Sequence, residues 1–546
     1  MGRQALLLCA LGGFALAVLP CHADSLPAAI DKFIAAKASG TLAERSDDAE
    51  FLRRVTLDFT GTIPTAEEVR AFLADNSAQK RAALIDKHLA GDSFARHWAD
   101  RLSVMLLERR VLGKVPEEDW RMYLQRTLRG QPRWDLMVRE MIAATGKGEV
   151  RPAMKFLGNG DQHRLTEDIA RLFLGRDLKC ARCHDHPSVD EWKQAHYWGL
   201  FAYLQQTKPA THQGEKKVYF VEGLTTKKID FQSVFTEEKK ETGPKLPGRQ
   251  EVAIPKFEKG QEYEHPASDG LPAVPRFRPR ELLATDLSSS EHGAFLRNSV
   301  NRFWFLLMGR GLLHPLDQTH RENPPSHPQL LDLLQREFAD HNCDLKWLLR
   351  QIALSESYQR SSRLPEGVKE REPKRYRTAH PKGLTPEQLL HAILRATGND
   401  RVLIQAQPPG AGKFDRRGYF SGTNKNLPHA YDDIRAIYVE TFGQLAGVAE
   451  DDFAPGLNKA LFLMNDRLIL HWLEPRDANL VARLGELESP DAVAEELYLS
   501  VFSRVPTSEE RSEVSEYLAQ FTDRRDTALG DLAWALLSSI EFRLNH

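Results

Sequence analysis

The sequence predicts a mainly α protein, a multi-helix exported chain with a small β-rich insertion between two helical blocks. Three observations carry this expectation. Apolar residues recur at helical spacing along most of the chain. Helix-start signatures of the form Thr-x-x-Glu or Thr-x-x-Gln recur ahead of apolar runs. The stretch 206–278 alone breaks the pattern, with many Lys, Glu, Gly and Pro residues and short alternating segments.

The chain opens with one basic residue, Arg3, then an apolar run from Ala5 to Leu19, then small residues up to Ala23. This reads as a secretory signal peptide over 1–23, cleaved after Ala23. Pro20 and Asp24 cut the apolar run short of the roughly 20 residues a membrane span requires. Pro20 is also a poor neighbour for lipidation of Cys21. No later stretch has the length and hydropathy of a span, so the expected location is the periplasm or another extracytoplasmic space, without a transmembrane segment after cleavage. The net charge is −2, and loss of Arg3 takes it only to −3. Acids and bases this balanced offer no basic face, so nucleic acid is not an expected partner. The length of 546 residues exceeds one ordinary core. The expected division is 24–205, an N-terminal helical domain; 206–278, the β-rich insertion or linker; and 279–546, a C-terminal helical domain.

Along the first block, residues 50–75 give a helix, a loop through Gly61, and a second helix opened by a Thr65/Glu68 capping box. Thr166 to Leu174 is again periodic and stops at Gly175. A second capping box, Ser188/Glu191, is expected to launch the helix that runs on through Trp192. After the insertion, the aromatic stripe in FLRNSVNRFWFLLMG reads as core, and Ser326 is the natural cap of a helix with Pro328 at its first turn. Residues 362–383 are strongly charged and read as a solvated linker. Thr385/Gln388 opens another helix, 407–428 is a Gly-rich loop without phosphate-binding spacing, and Thr507/Glu510 repeats the plan of Thr65/Glu68 near the C-terminus.

Five cysteines become three once Cys9 and Cys21 leave with the signal, which excludes a disulfide-stapled scaffold. Cys343 reads as a small buried hydrophobe. The other two lie in Cys180-Ala-Arg-Cys183-His184. Covalent haem c attachment needs two thiols that meet the two porphyrin vinyl groups and an imidazole immediately after them as proximal iron ligand, which Cys180, Cys183 and His184 supply. Two other readings stand beside it: a Cys180–Cys183 disulfide, and a zinc site using His184 and His186 with the thiol pair. Met141, Met154, His163, His186, His196 and His327 are candidates for a sixth iron ligand, with Asp185 and Asp190 as candidates to orient an imidazole.

Several blocks resemble, in order, the large exported cytochrome-associated proteins of planctomycetes and related bacteria, which pair an N-terminal and a C-terminal domain of unknown function. In the first domain the resemblance rests on FLRRVTLDFTGTIPTAEEVRAFLAD and RLFLGRDLKCARCHDHPSVDEW. In the second it rests on RELLATDL, VNRFWFLLMGRGLLHPLD, NPPSHPQLLDLL, DLKWLLRQIALSESYQRSS, LTPEQLLHAI and WALLSSIEFRLNH. The sequence departs from the family pattern after Gly443, where a cysteine-containing stretch is usual and GQLAGVAEDDFAPGL stands here, and at Ser538, where Asn is usual. The resemblance singles out Cys180, Cys183, His184, Asp185, His186 and Pro187 in one domain, and Arg302, Asn323, Ser326 and His327 in the other. It implies an extracytoplasmic redox or polymer-degrading setting. With a His-bearing loop in each domain, His327 is a candidate distal ligand if the two domains pack together.

The leading functional expectation is a c-type cytochrome-like protein with a periplasmic redox partner. The alternatives are a zinc-binding protein or hydrolase that works with exported polymer-degrading machinery, and a helical scaffold without a cofactor. No H-E-x-x-H, nucleophile elbow or paired-carboxylate helix is present, so no enzyme class is named.

Overall fold

The computed structural model describes residues 25–148, 151–158, 160–211, 218–268, 272–400, 414–450 and 456–546; the expected signal peptide, 1–23, lies outside them. The fold is mainly α, and its strands form two-stranded ladders. No described helix is long and apolar enough to cross a membrane.

The predicted capping boxes at Thr65/Glu68, Thr385/Gln388 and Thr507/Glu510 all form, each hydroxyl accepting from the third backbone N–H while the Glu or Gln side chain reaches back. Pro328 stands in the first turn of Pro328–Asp340. Ser326 does not cap that helix; its hydroxyl donates to the carbonyl of Leu312, and His327 occupies the cap position. The 362–383 segment is solvated over most of 363–374, as expected, but packed beyond it: Tyr376 and Thr378 are buried, and Arg371 donates to the carbonyls of Ser362 and Ala379. Cys343 is buried, and burial pushes its thiol up to about 12. Residues 407–413 of the Gly-rich loop lie outside the described residues.

Within 206–278, Thr207–Thr211 pairs antiparallel with Val218–Glu222, Ile229–Gln232 with Lys239–Thr242, and Tyr263–His265 with Val274–Pro275. The insertion separates the helical blocks in sequence but not the cores in space. One apolar cluster runs from Ile30 through the helices Gly293–Met308, Pro328–Asp340 and Leu345–Leu354 to Tyr376; the other joins Leu57 and Ile63 to residues from Leu389 to Phe542.

The helix Asp48–Thr60 connects the two. Phe51, Leu52, Val55 and Phe59 lie in the first cluster and Leu57 in the second. Its charged residues beyond Asp48 are buried as well. Arg53 donates to the carbonyls of Val501 and Phe542 at 3.1 and 3.0 Å, and Arg54 to those of Tyr358 and Arg360 at 2.6 and 2.8 Å. Asp58 accepts from Lys382, Asn545 and the hydroxyl of Tyr358 at 2.6–2.8 Å. Burying a charge is costly unless it is paired or hydrogen-bonded; Asp58 is paired with Lys382 and Arg54 with Glu50, while Arg53 rests on main-chain carbonyls. A second such hub is Glu387, whose carboxylate receives both terminal nitrogens of Arg109, at 2.8 and 2.9 Å, and Arg435 at 3.1 Å. Burial raises the Glu387 carboxyl, but Arg109 and Arg435 outweigh it and hold it well below the usual range.

Candidate functional site

The helix Gln162–Leu174 delivers the chain to the CxxCH turn. Asp161 caps its start, accepting from the N–H groups of His163 and Arg164, and Gly175 ends it in a left-handed conformation, φ 66°. A Cβ at Gly175 would stand 2.5 Å from Thr319 Oγ1 and 2.7 Å from Asn298 Oδ1, so both the backbone angle and the close approach of the second helical block require glycine.

That approach is a clasp. Thr319 N–H donates to the Gly175 carbonyl at 2.9 Å, Asp177 N–H to the Asp317 carbonyl at 3.1 Å, and Trp192 Nε1 to the Thr319 carbonyl at 3.2 Å. Arg321 N–H donates to Glu191 at 3.1 Å. The loop between Gly293–Met308 and Pro328–Asp340 therefore holds both ends of the CxxCH segment.

Cys180–Arg182 is a 3₁₀ turn, closed by the Cys183 N–H on the Cys180 carbonyl, with buried Ala181 beneath it. Both thiols are exposed and unlinked. His184 follows directly, and its Nδ1 lies 2.6 Å from the Asp185 carbonyl. A carbonyl can only accept, so Nδ1 carries the proton and Nε2 keeps a lone pair for a metal. Burial raises the Asp185 carboxyl, but the Gln194 N–H at 2.8 Å and the Lys193 ammonium hold it below the usual range.

His186 is placed differently. Its Nδ1 accepts from the N–H groups of Ser188 and Val189 at 3.2 and 3.0 Å, which puts the neutral ring's proton on Nε2. The expected Ser188/Glu191 capping box is absent: the next helix begins later, as Gln194–Leu204, and the His186 ring does the capping of the intervening turn. His196 is likewise engaged, accepting from the Lys193 N–H. His163 stacks on Phe201 and bonds the Tyr197 hydroxyl.

His327 is buried against Tyr376, with Nδ1 3.0 Å from the Ser326 hydroxyl; burial pushes it down to about 4. The domains do pack together and the loop preceding His327 does face the CxxCH segment, but the histidine it brings there is His320, edge-on to Trp192. Arg302 lies on that same loop's base, donating to Asp317 and to the Arg171 carbonyl, while Asn323 bonds the Gln318 carbonyl within the loop. Met141 and Met154 are core residues.

Residues that sequence reasoning did not single out complete the surroundings. Val234 N–H donates to the Cys183 carbonyl at 3.0 Å, and the Phe235 ring lies 5.0 Å from that of His184. Val234 and Phe235 are 66% and 76% exposed, an uncovered apolar surface beside Cys183 and His184. Trp198 Nε1 and Gln194 Nε2 both donate to the Arg182 carbonyl. The insertion thus forms one wall of the site, which its charge-rich composition conceals.

A zinc centre needs three or four donors aimed at one point. Among the described residues no three His, Cys, Asp or Glu side chains are so grouped, and the His186 nitrogen that could accept a metal without a tautomer change is already bonded. The donor set does fit haem c. It offers two free thiols separated along an exposed turn, an adjacent imidazole with Nε2 open, and an apolar surface next to both.

These features define a mainly α protein of two interlocked helical blocks with a thiol-pair turn clasped between them. Residues 29–209 match the family described as PSCyt2, protein of unknown function (DUF1549), and residues 279–518 match the family described as PSD1, protein of unknown function (DUF1553). The chain carries this pair of N-terminal and C-terminal domains. No curated protein and no solved structure matches it.

Proposed function

We propose that this chain is an exported haem c protein with an electron-transfer or redox role. In this reading Cys180 and Cys183 hold the haem by thioether links and His184 is the proximal ligand. The observation that carries it is the His184 ring: Nδ1–H is committed to the Asp185 carbonyl, so Nε2 is the free nitrogen, next to two exposed thiols. A haem held there supplies one-electron chemistry at its iron. The chain's own part is to orient the imidazole through Asp185, keep the turn in place through Ala181, Trp198 and the clasp at Gly175, and offer Phe235 as an apolar neighbour. The 1–23 signal supports an oxidising compartment in which such attachment takes place. Its partner would be another extracytoplasmic redox protein.

The test is expression of the full chain in a host that attaches haem c. The expected result is an intact mass raised by one haem and a Soret band that survives denaturation. A mature protein with no covalent haem under those conditions overturns the proposal; stoichiometric zinc without iron would turn attention to the metal-binding alternative.

A further inference from the structure

Between the two cores, the helix Asp92–Leu107 faces two adjoining cavities of about 60 and 280 Å³, which share Arg101, Phe305, Leu306, Thr385 and Glu450 as walls. Nearly every charge around the smaller one is spoken for. Arg109 holds Glu387 and Glu450, Arg171 holds Glu108 and Asp317, and Arg302 holds Asp317. Arg101 differs. Among the described residues it forms no hydrogen bond and no ion pair, although it lines both cavities.

The Arg101 side chain is only partly covered, so its unbonded donors open into the cavities and can be completed by an anion that enters them. The electrostatics point the same way. Burial pushes Arg101 below its ordinary value, and the fields of Asp58, Glu450 and Glu387 only partly restore it, none of the three being bonded to it. Arg543 also lines the larger cavity, and Glu450 is already tied to Arg109. Leu384, Leu389 and Phe442 give that cavity an apolar wall. A planar fork of donors in a low-dielectric setting recognises an oxyanion bidentately. The larger cavity has a mixed lining, these apolar side chains on one side and Arg101, Thr385 and Gln444 among the polar ones, which suits a polar small molecule with a charged head.

We propose that Arg101 anchors an oxyanion at the junction of the two cavities, the charged head of a small molecule whose body occupies the larger one. The site is distinct from the CxxCH turn and does not depend on haem. The residues that carry the other charges act as its frame, since Arg109, Glu387 and Glu450 are saturated by one another.

Calorimetric titration of the full chain with sulfate, phosphate and glucuronate, at constant ionic strength against chloride, tests this. Saturable binding of at least one oxyanion is expected, weakened at least tenfold in Arg101→Met and less in Arg101→Lys. Glucuronate binding more tightly than sulfate and phosphate supports a ligand whose body fills the larger cavity; inorganic anions binding without glucuronate overturns that part and leaves a simple oxyanion site. Absence of saturable binding, or equal binding by Arg101→Met, overturns the whole. Thermal unfolding without ligand is the second measurement. Arg101→Met should leave the midpoint unchanged or raise it, because an unpaired charge is removed, and a variant that is destabilised or unfolded shows Arg101 to be structural and overturns the proposal.

Discussion

His184 Nδ1 donates to the main-chain carbonyl of Asp185 across 2.6 Å, and this bond fixes which side of the ring is left for chemistry. His186, two residues further on, is oriented the opposite way, its Nδ1 accepting from the Ser188 and Val189 N–H groups. One histidine is poised to bind and the other holds the loop.

His186→Ala should therefore keep covalent haem and its Soret spectrum in the attachment host, while lowering stability by about 1–2 kcal/mol through two orphaned N–H groups. His184→Ala should alter the spectrum by removing the proximal ligand. Denatured-state haem spectra and urea unfolding read the two effects separately; loss of haem in His186→Ala with retention in His184→Ala would reverse the assignment.

Gly175→Ala should destabilise the chain by about 2 kcal/mol, from a left-handed backbone angle combined with a Cβ pressed on Thr319 and Asn298. Urea unfolding measures the loss. Because the clasp holds the CxxCH segment, limited proteolysis between Gly175 and Trp192 should also speed up.

Glu387→Gln should cost about 3 kcal/mol or more, since it removes the carboxylate shared by Arg109 and Arg435 inside the fold and leaves them only Glu450 and Asp100. Arg504→Gln, at a more exposed pair with Glu510 and Glu541, should cost less. Equal effects in chemical denaturation would show that Glu387 is not the hub described.

Acid should weaken the fold in two windows. His88, His292 and His391 are pushed down to about 4 by burial, against an unfolded value near 6.5. The unfolded chain thus binds protons that the native chain refuses, and the stability present above pH 6.5 is lost as pH falls toward 4. Asp48 and Glu510, held below the usual carboxylate range, extend the loss further into acid. His391→Phe should remove one proton of uptake, flattening the slope near pH 5 by at most about 1.4 kcal/mol per pH unit. Unfolding midpoints from pH 4 to 7 test this, and an unchanged slope in the variant would count against a neutral buried His391.

The legible parts of the sequence were those where short-range chemistry decides structure. Thr65/Glu68, Thr385/Gln388 and Thr507/Glu510 satisfy orphan N–H groups within one helical turn, so their spacing alone announces a helix start. Gly175 announces a helix end in the same way. Ser188/Glu191 has that spacing too, yet the His186 ring took those N–H groups, because the chain is turned back there to reach the clasp with Thr319.

The sequence by itself determined the mainly α class, the position of the β-rich insertion, and the presence of Cys180, Cys183 and His184 in one turn. Only the tertiary structure decided that Phe235 stands beside His184, that His320 rather than His327 meets Trp192, and that Arg53, Arg54 and Asp58 lie inside. The physical reason is range. A cap or a CxxCH is completed by neighbours a few residues away, whereas a ring beside the site is set by a partner tens of residues off and a buried charge by partners hundreds of residues distant, as Arg53 is by Val501 and Phe542.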